Sequence, residues 1–148
     1  MNKKTLLSLI ITISLIIISC ESYKEEPSRV VKCNMLRSFE GITTLNEEAY
    51  SGSCIVYIND IKTDLKSFKN GVPHGIYKKY YYPSEKILYI GYRKKGEIHG
   101  NFVNYHENGK KAIEGSLKRG YYTGTWKYYN DQGILTEEKV YRRGKEIK

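Results

Sequence analysis

One glycine-to-tyrosine spacing recurs four times in the C-terminal two-thirds of this 148-residue chain. In each copy a glycine is followed two residues later by Cys, Tyr, Phe or Trp, and five residues later by Tyr. The four copies are Gly52-Cys54-Tyr57, Gly75-Tyr77-Tyr80, Gly100-Phe102-Tyr105 and Gly124-Trp126-Tyr129. The glycines recur after 23, 25 and 24 residues, a period typical of stacked supersecondary units. We therefore expect a stack of one repeated unit rather than a globular enzyme core.

Each repeat has the pattern of a β-hairpin, which makes the predicted fold class all-β. In the third repeat, strand-like residues 101–106 and 111–117 flank Glu107-Asn108-Gly109. An Asn-Gly pair between two strands favours a type I′ turn. A second glycine then reverses the chain toward the next repeat, at Gly71, Gly96, Gly120 and Gly144. The predicted repeats span 52–74, 75–99, 100–123 and 124–148.

These motifs resemble MORN repeats, in the bacterial variant form found in the family labelled YwqK-type antitoxins. The residues that carry the resemblance are the Gly-x-aromatic-x-x-Tyr openings, Phe68-Lys69-Asn70-Gly71, the His-Gly pairs at 74/75 and 99/100, Asn108-Gly109-Lys110 and Glu114-Gly115. It covers about residues 50 to 148, and Cys54 departs from it by replacing an aromatic residue. The resemblance implies an elongated single-layer antiparallel sheet with a role in attachment or binding, and no catalytic activity.

The N-terminus has the pattern of a bacterial lipoprotein signal. Leu6 to Ile18 form an apolar run behind Lys3 and Lys4, too short for a spanning helix of about 20 residues. The run ends in Ile17-Ile18-Ser19-Cys20, which resembles a lipobox. We expect a signal peptide over 1–19, acylation of Cys20, a tether over 20–29 and an N-terminal cap over 30–51. The alternative is a signal that is not lipidated, with an incidental cysteine.

Location follows from the same segment. Residue 21 is Glu rather than the Asp that retains many lipoproteins in the inner membrane, which favours the outer membrane, facing the periplasm or the cell surface. The two remaining cysteines, Cys33 and Cys54, would then meet an oxidising compartment. A bridge between them would stabilise the fold by about 3 kcal/mol. The alternative is two separate buried thiols.

Two ladders of side chains follow from strand alternation. The positions two after each repeat glycine share one face, and they are Cys54, Tyr77, Phe102 and Trp126. The positions five after it share the other face, and they are Tyr57, Tyr80, Tyr105 and Tyr129. Since a single sheet cannot bury both faces, we expect the tyrosine ladder to be a candidate binding surface. The alternative is cross-strand packing alone.

Basic residues also recur beside the inter-repeat glycines. They are Lys69, Arg93, Lys94, Lys95, Lys118, Arg119, Arg142 and Arg143. Stacked hairpins would align them as a positive edge, in a chain whose mature form carries a net charge of +7. Such an edge could meet anionic lipid or an acidic protein, or could simply discourage edge-to-edge aggregation. Nucleic acid is not an expected partner for an exported, tethered chain.

No group of residues points to catalysis, a metal or a cofactor. His74 and His99 occupy equivalent slots two strands apart, about 9.5 Å, whereas zinc ligands lie about 2 Å from a shared ion. The adjacent carboxylates Glu47-Glu48 and Glu137-Glu138 point to opposite faces of a strand. The sequence therefore predicts a non-enzymatic protein without a metal site.

Three functions remain in competition. The first is a lipoprotein of the outer envelope, anchored through its acyl chains, whose sheet binds another protein. The second is an antitoxin or immunity protein that neutralises a toxin in the periplasm or at the cell surface, as the family label suggests. The third is contact with anionic lipid or polysaccharide through the basic edge.

Overall fold

The computed structural model describes residues 29–148, so the signal peptide, Cys20 and all of the predicted tether except its last residue lie outside the described part. The described chain is all-β apart from a short 3-10 helix at Cys33–Met35. The strands are β1 Val30–Lys32, β2 Arg37–Phe39, β3 Ile42–Leu45, β4 Glu48–Ala49, β5 Gly52–Ile58, β6 Ile61–Lys69, β7 Val72–Pro73, β8 Gly75–Tyr80, β9 Ile87–Lys94, β10 Glu97–Ile98, β11 Gly100–Tyr105, β12 Lys111–Lys118, β13 Tyr121–Tyr129, β14 Leu135–Arg142 and β15 Lys145–Glu146.

Twelve strands form one open sheet, in the order β1-β5-β6-β8-β9-β11-β12-β13-β14-β15, with β7 on β6 and β10 on β9. One strand pair departs from the expected antiparallel arrangement: β1 runs parallel to β5, with Val31 opposite Cys54. Parallel neighbours need a long crossover connection. Residues 33–51 supply it, because the chain builds the small β2-β3-β4 sheet before it returns as β5.

Four hairpins share one irregularity. In β5–β6, β8–β9, β11–β12 and β13–β14 the register shifts by one residue just before the tyrosine five after the repeat glycine. Each shift leaves one extra residue on the returning strand, and these residues are Thr63, Leu88, Ala112 and Thr136. A bulge of this kind increases the local twist of the strand pair. The four hairpins therefore bend at the same point.

The turns between hairpins are stacked along one edge of the sheet. Their central pairs are Asn70-Gly71, Lys95-Gly96, Arg119-Gly120 and Arg143-Gly144, and every one of these residues has a positive φ, as in type I′ turns. Each glycine N–H donates to a carbonyl of the preceding unit, at 2.7 to 2.9 Å; the acceptors are Tyr50, Pro73, Ile98 and Tyr122. These hydrogen bonds fix the spacing of the turns.

The prediction of a type I′ turn at Asn108-Gly109 is wrong. Asn108 keeps a negative φ and only Gly109 lies in the left-handed region, at +86°. The Gly109 N–H donates to the His106 carbonyl, and the Asn108 side chain accepts from the Lys110 N–H. This is a tight turn followed by a left-handed glycine, the usual form of slightly longer hairpin loops. The side-chain bond of Asn108 competes with the two-residue turn.

The core is thin, as expected for a sheet without a second layer. The buried hydrophobic residues are Leu45, Tyr50, Cys54, Tyr80, Leu117 and Trp126. Near the N-terminal end, the Tyr50 hydroxyl lies 2.7 Å from the Arg29 carbonyl and 2.6 Å from the Ser53 carbonyl, so its single proton is shared between them and it links the start of the described chain to the sheet. Among residues 29–148 no helix is long and apolar enough to cross a membrane.

Candidate binding surfaces

The sheet has an aromatic face, defined by the side chains of Cys54, Tyr77, Phe102 and Trp126. The strand register puts all four on the same side, because Cys54 pairs with Lys66, Tyr77 with Gly91 and Phe102 with Gly115 along one continuous ladder. Three further residues join them on this face: Tyr89, Tyr122 and Tyr141. The ring centroids of Tyr77 and Tyr89 lie 5.7 Å apart, and so do those of Tyr89 and Phe102.

Trp126 ends this row at the C-terminal hairpin. Its ring lies 6.1 Å from Phe102 and stacks on Tyr122 at 3.8 Å, with Tyr141 edge-on at 6.4 Å. Only 1% of Trp126 is exposed. Its indole N–H has no hydrogen-bond partner in residues 29–148. Trp126 is therefore a packing residue rather than a contact for a partner.

Two extended glycines make room for the large rings. A Cβ on Gly115 would come within 2.3 Å of the Trp126 ring, and a Cβ on Gly91 within 2.3 Å of the Tyr77 ring. Neither glycine has a positive φ, so their role is the close approach of ring and backbone. The aromatic face thus depends on small residues in the neighbouring strand.

At the N-terminal end the same face is closed by a disulfide between Cys33 and Cys54. Cys54 is 1% exposed. The bridge joins the residue after β1 to the middle of β5, so it fastens the parallel strand to the sheet. Covalent closure replaces the aromatic ring that fills this slot in the other three hairpins.

The tyrosine face carries Tyr57, Tyr80, Tyr105 and Tyr129, but these residues are not a uniform binding ladder. Tyr80 is 9% exposed, with the Lys62 ammonium 4.3 Å from its ring centroid, so it is closed to a partner. The Lys32 ammonium lies 5.5 Å from the centroid of the Tyr57 ring, and the Tyr129 hydroxyl donates a hydrogen bond to the Glu114 carboxylate. Burial under Lys62 therefore removes Tyr80 from an exposed ladder, whereas Tyr57 is 40% exposed and Tyr105 is half-buried.

Glu114 is the most strongly held carboxylate on this face. The Lys111 ammonium donates to it at 2.7 Å, and the Tyr129 hydroxyl donates to its other oxygen. These hydrogen bonds, Lys111 first, lower the pKa of Glu114 and raise the pKa of both partners. The group fastens the third hairpin to the fourth.

Most of the predicted basic residues form a line along the stacked turns. Lys69, Lys94, Lys118 and Arg142 end the returning strands on the tyrosine face, and Lys95, Arg119 and Arg143 follow three of them in the turns. We call these seven residues the basic row. Arg93 does not join it. Strand alternation puts Arg93 on the aromatic face, 5.3 Å from the Tyr77 ring, where it donates to the Gly96 carbonyl.

The basic row borders a cleft of about 800 Å³ between the last two turns. Its lining residues are Lys118, Arg119, Tyr121, Thr123, Arg142 and Arg143. Tyr121 is 60% exposed, and Tyr122 beside it is 40% exposed on the other face. Neither tyrosine belongs to the repeated Gly-x-aromatic-x-x-Tyr pattern. The sequence does carry a sign of Tyr121, because it directly follows a turn glycine, where the two earlier turns have Val72 and Glu97 instead of an aromatic residue.

Two of the three histidine side chains, His74 and His106, form hydrogen bonds with the backbone. His74 accepts from the Lys95 N–H at 3.4 Å, and His106 bonds the Tyr129 carbonyl at 2.9 Å. In the described residues no three His, Cys, Asp or Glu side chains come close enough together to hold a metal ion. The side chains best placed to meet a ligand are therefore the cations and tyrosines of the turns.

Comparison with known proteins returned no matching family model, no matching curated protein and no matching solved structure.

Proposed function

We propose that this chain is a non-enzymatic, lipid-anchored protein of the bacterial cell envelope whose repeat sheet binds another protein. The observation that carries the proposal is the cleft at the last two turns. There an exposed tyrosine lies among four cationic side chains, none of which forms a salt bridge with an acid of residues 29–148. Tyrosine and arginine are the residues that most often dominate protein interfaces.

The structure adds support for export. A disulfide persists in oxidising compartments, and it is rare in the cytosol. The Cys33–Cys54 bridge is therefore consistent with the envelope location that the signal sequence and Cys20 favour. The N-terminal end of the sheet begins ten residues after Cys20, which is the arrangement expected for a domain held close to a membrane by a short tether.

The arrangement of side chains also favours binding over catalysis. Tyr89, Phe102 and Trp126 pack on one another in the aromatic face, and the carboxylate with the clearest lowered pKa, Glu114, is held by Lys111 and Tyr129. An acid or base for catalysis needs a pKa near the working pH. The pKa of Glu114 is lowered, which takes it further from neutral pH and makes Glu114 a poor acid or base for catalysis.

Lysine-directed crosslinking of the intact lipoprotein in its native membrane tests the proposal. We expect one protein to be recovered in stoichiometric yield, joined through Lys94, Lys95 or Lys118 of the basic row. Lys86, at the opposite edge of the sheet, is the internal control and should give little crosslinked product. Recovery of no stoichiometric partner, or of equal products through Lys86, would contradict the proposal.

A further inference from the structure

The basic row is nearly complete. Of the eight positions directly before the four turn glycines, seven are Lys or Arg, and the exception is Asn70. No salt bridge within residues 29–148 involves any of the seven. Four other lysines of the sheet, Lys62, Lys111, Lys127 and Lys139, do pair with acids, whereas isolated lysines such as Lys66 and Lys78 do not. The row therefore presents uncompensated positive charge along one line.

The turns themselves do not require these cations. Asn70, Lys95, Arg119 and Arg143 all have φ between 50° and 53°, a left-handed conformation that asparagine adopts more readily than lysine or arginine. Only the first turn uses asparagine. In the other three the position holds Lys or Arg, so the backbone does not dictate the positive charge found there.

The spacing of the row selects the shape of its ligand. Successive turns lie two strands apart, about 9.5 Å. A polyproline II chain rises about 3.1 Å per residue with three residues per turn, so side chains three apart share one side at about 9.3 Å. Carboxylates at every third residue of an extended chain would therefore meet one basic pair after another.

The twist of the sheet favours a chain over a membrane. Adjacent strands are rotated by roughly 20 to 25°, so turns two strands apart differ by roughly 40 to 50°. A flat bilayer can meet only one or two such turns at once, whereas an extended chain can follow the twist. The cleft at the last two turns also exposes the Tyr121 ring, which can pack against an apolar part of a peptide, and the Thr123 hydroxyl, which can form a hydrogen bond with it.

From these observations we infer that the basic row binds an extended acidic segment of the partner protein, with carboxylates at every third residue. The segment is anchored between Lys118-Arg119 and Arg142-Arg143, where the arginine guanidinium groups can pair with carboxylates in a bidentate manner. The inference rests on the proposed function and names the chemistry of the partner.

Binding of synthetic peptides to the full chain in neutral detergent tests this. One fluorescent peptide is four repeats of Glu-Pro-Pro, and its isomer has the same composition with the four glutamates adjacent. We expect the spaced peptide to bind at least 5-fold more tightly. The double variant Arg119→Asn and Arg143→Asn, which keeps a residue suited to the left-handed turn, should weaken binding at least 10-fold. The matched control, Lys66→Gln with Lys86→Gln, removes two charges elsewhere and should change binding less than 2-fold.

Equal affinity for the two peptides, or equal losses in both double variants, would overturn the inference, because either shows charge attraction without geometry. Tighter binding of glycerophosphoglycerol, the soluble headgroup of an anionic lipid, than of the spaced peptide would overturn it in favour of a membrane. If the peptides fail while the basic row still crosslinks to a partner, the acidic chemistry is wrong and the protein-binding function stands. Failure of both experiments rejects both proposals.

Discussion

The two ends of the aromatic face are closed by different means. In the first hairpin the slot two residues after the repeat glycine holds Cys54, and in the last it holds Trp126, and each is 1% exposed. Between them Tyr77 and Phe102 are only half-buried. Cys54 is closed by a covalent bond to Cys33, whereas Trp126 is closed by Tyr122 and Tyr141 of its own hairpin.

The difference shows what an open stack requires. An inner hairpin is covered on both sides, but an end hairpin has a neighbour on one side only. The N-terminal neighbour, β1, has only three residues, and a disulfide joins the residue after it to Cys54 of β5. The C-terminal hairpin has long strands and is retained by aromatic stacking. The two ends should therefore respond differently to reduction and to truncation of side chains.

The largest expected effect is at the C-terminal end. Replacing Trp126 by Ala should lower the free energy of unfolding by about 3 to 5 kcal/mol, because the cavity removes contacts with Phe102, Tyr122 and Tyr141. That is a large part of the 5 to 15 kcal/mol typical of a domain. Urea denaturation measures it, with Trp126→Phe as the milder control. A loss below about 1 kcal/mol would show that the stack does not close this end.

At the N-terminal end the double variant Cys33→Ala and Cys54→Ala should lose about 2 to 4 kcal/mol. A reducing agent should produce a similar loss in the native protein and none in the variant. Hydrogen exchange should then accelerate in β1 and β5 while β13 and β14 keep their protection. Uniform acceleration along the whole sheet would contradict the view that the two ends are closed independently.

Two glycine substitutions with smaller expected losses of stability distinguish side-chain packing from backbone strain. Gly115→Ala should cost about 1 to 3 kcal/mol, since its Cβ would collide with the Trp126 ring. Gly109→Ala has open space around the new Cβ but keeps a left-handed φ, and should cost about 1 kcal/mol. Thermal unfolding of both variants in the Trp126→Ala background tests the cause. There Gly115→Ala should become nearly neutral, whereas Gly109→Ala should keep its cost.

The smallest expected effect is a pH dependence at Glu114. Its pKa is lowered in the folded protein, so its contribution to stability is complete above the usual glutamate pKa of 4.5 and is lost as the pH falls through the lower folded-state pKa. Glu114→Gln should cost about 1 kcal/mol at pH 7. The difference from the native protein should shrink at pH 3 in urea titrations. A difference that stays constant with pH would mean that the charge of Glu114 contributes nothing.

Part of this arrangement could be predicted from the sequence because it is local. The glycine period predicts hairpins of equal length, and the structure is all-β with an open twelve-stranded sheet. Alternation along a strand assigns Tyr77 and Tyr80 to opposite faces. It cannot show that Tyr80 is buried, because Lys62 covers that ring from a neighbouring hairpin.

The candidate site was harder to predict because it depends on positions two strands apart. Their position before Gly96 assigns both Arg93 and Lys94 to the positive edge, yet strand alternation puts the two side chains on opposite faces of the sheet. Tyr121 lies outside the repeated Gly-x-aromatic-x-x-Tyr pattern, and its exposure follows from where the turns stack. Strand alternation alone separates Arg93 from Lys94, whereas the exposure of Tyr121 depends on its neighbours across the sheet.

The most direct test of the binding account is site-specific photo-crosslinking in living cells. A photoreactive amino acid replaces Tyr121 in the cleft or, as a control, Tyr82, which is 53% exposed at the opposite edge of the sheet. We expect a discrete crosslinked protein from position 121 that disappears in the Arg119→Asn and Arg143→Asn background, and none from position 82. No product at position 121, or equal products at both positions, would contradict the account.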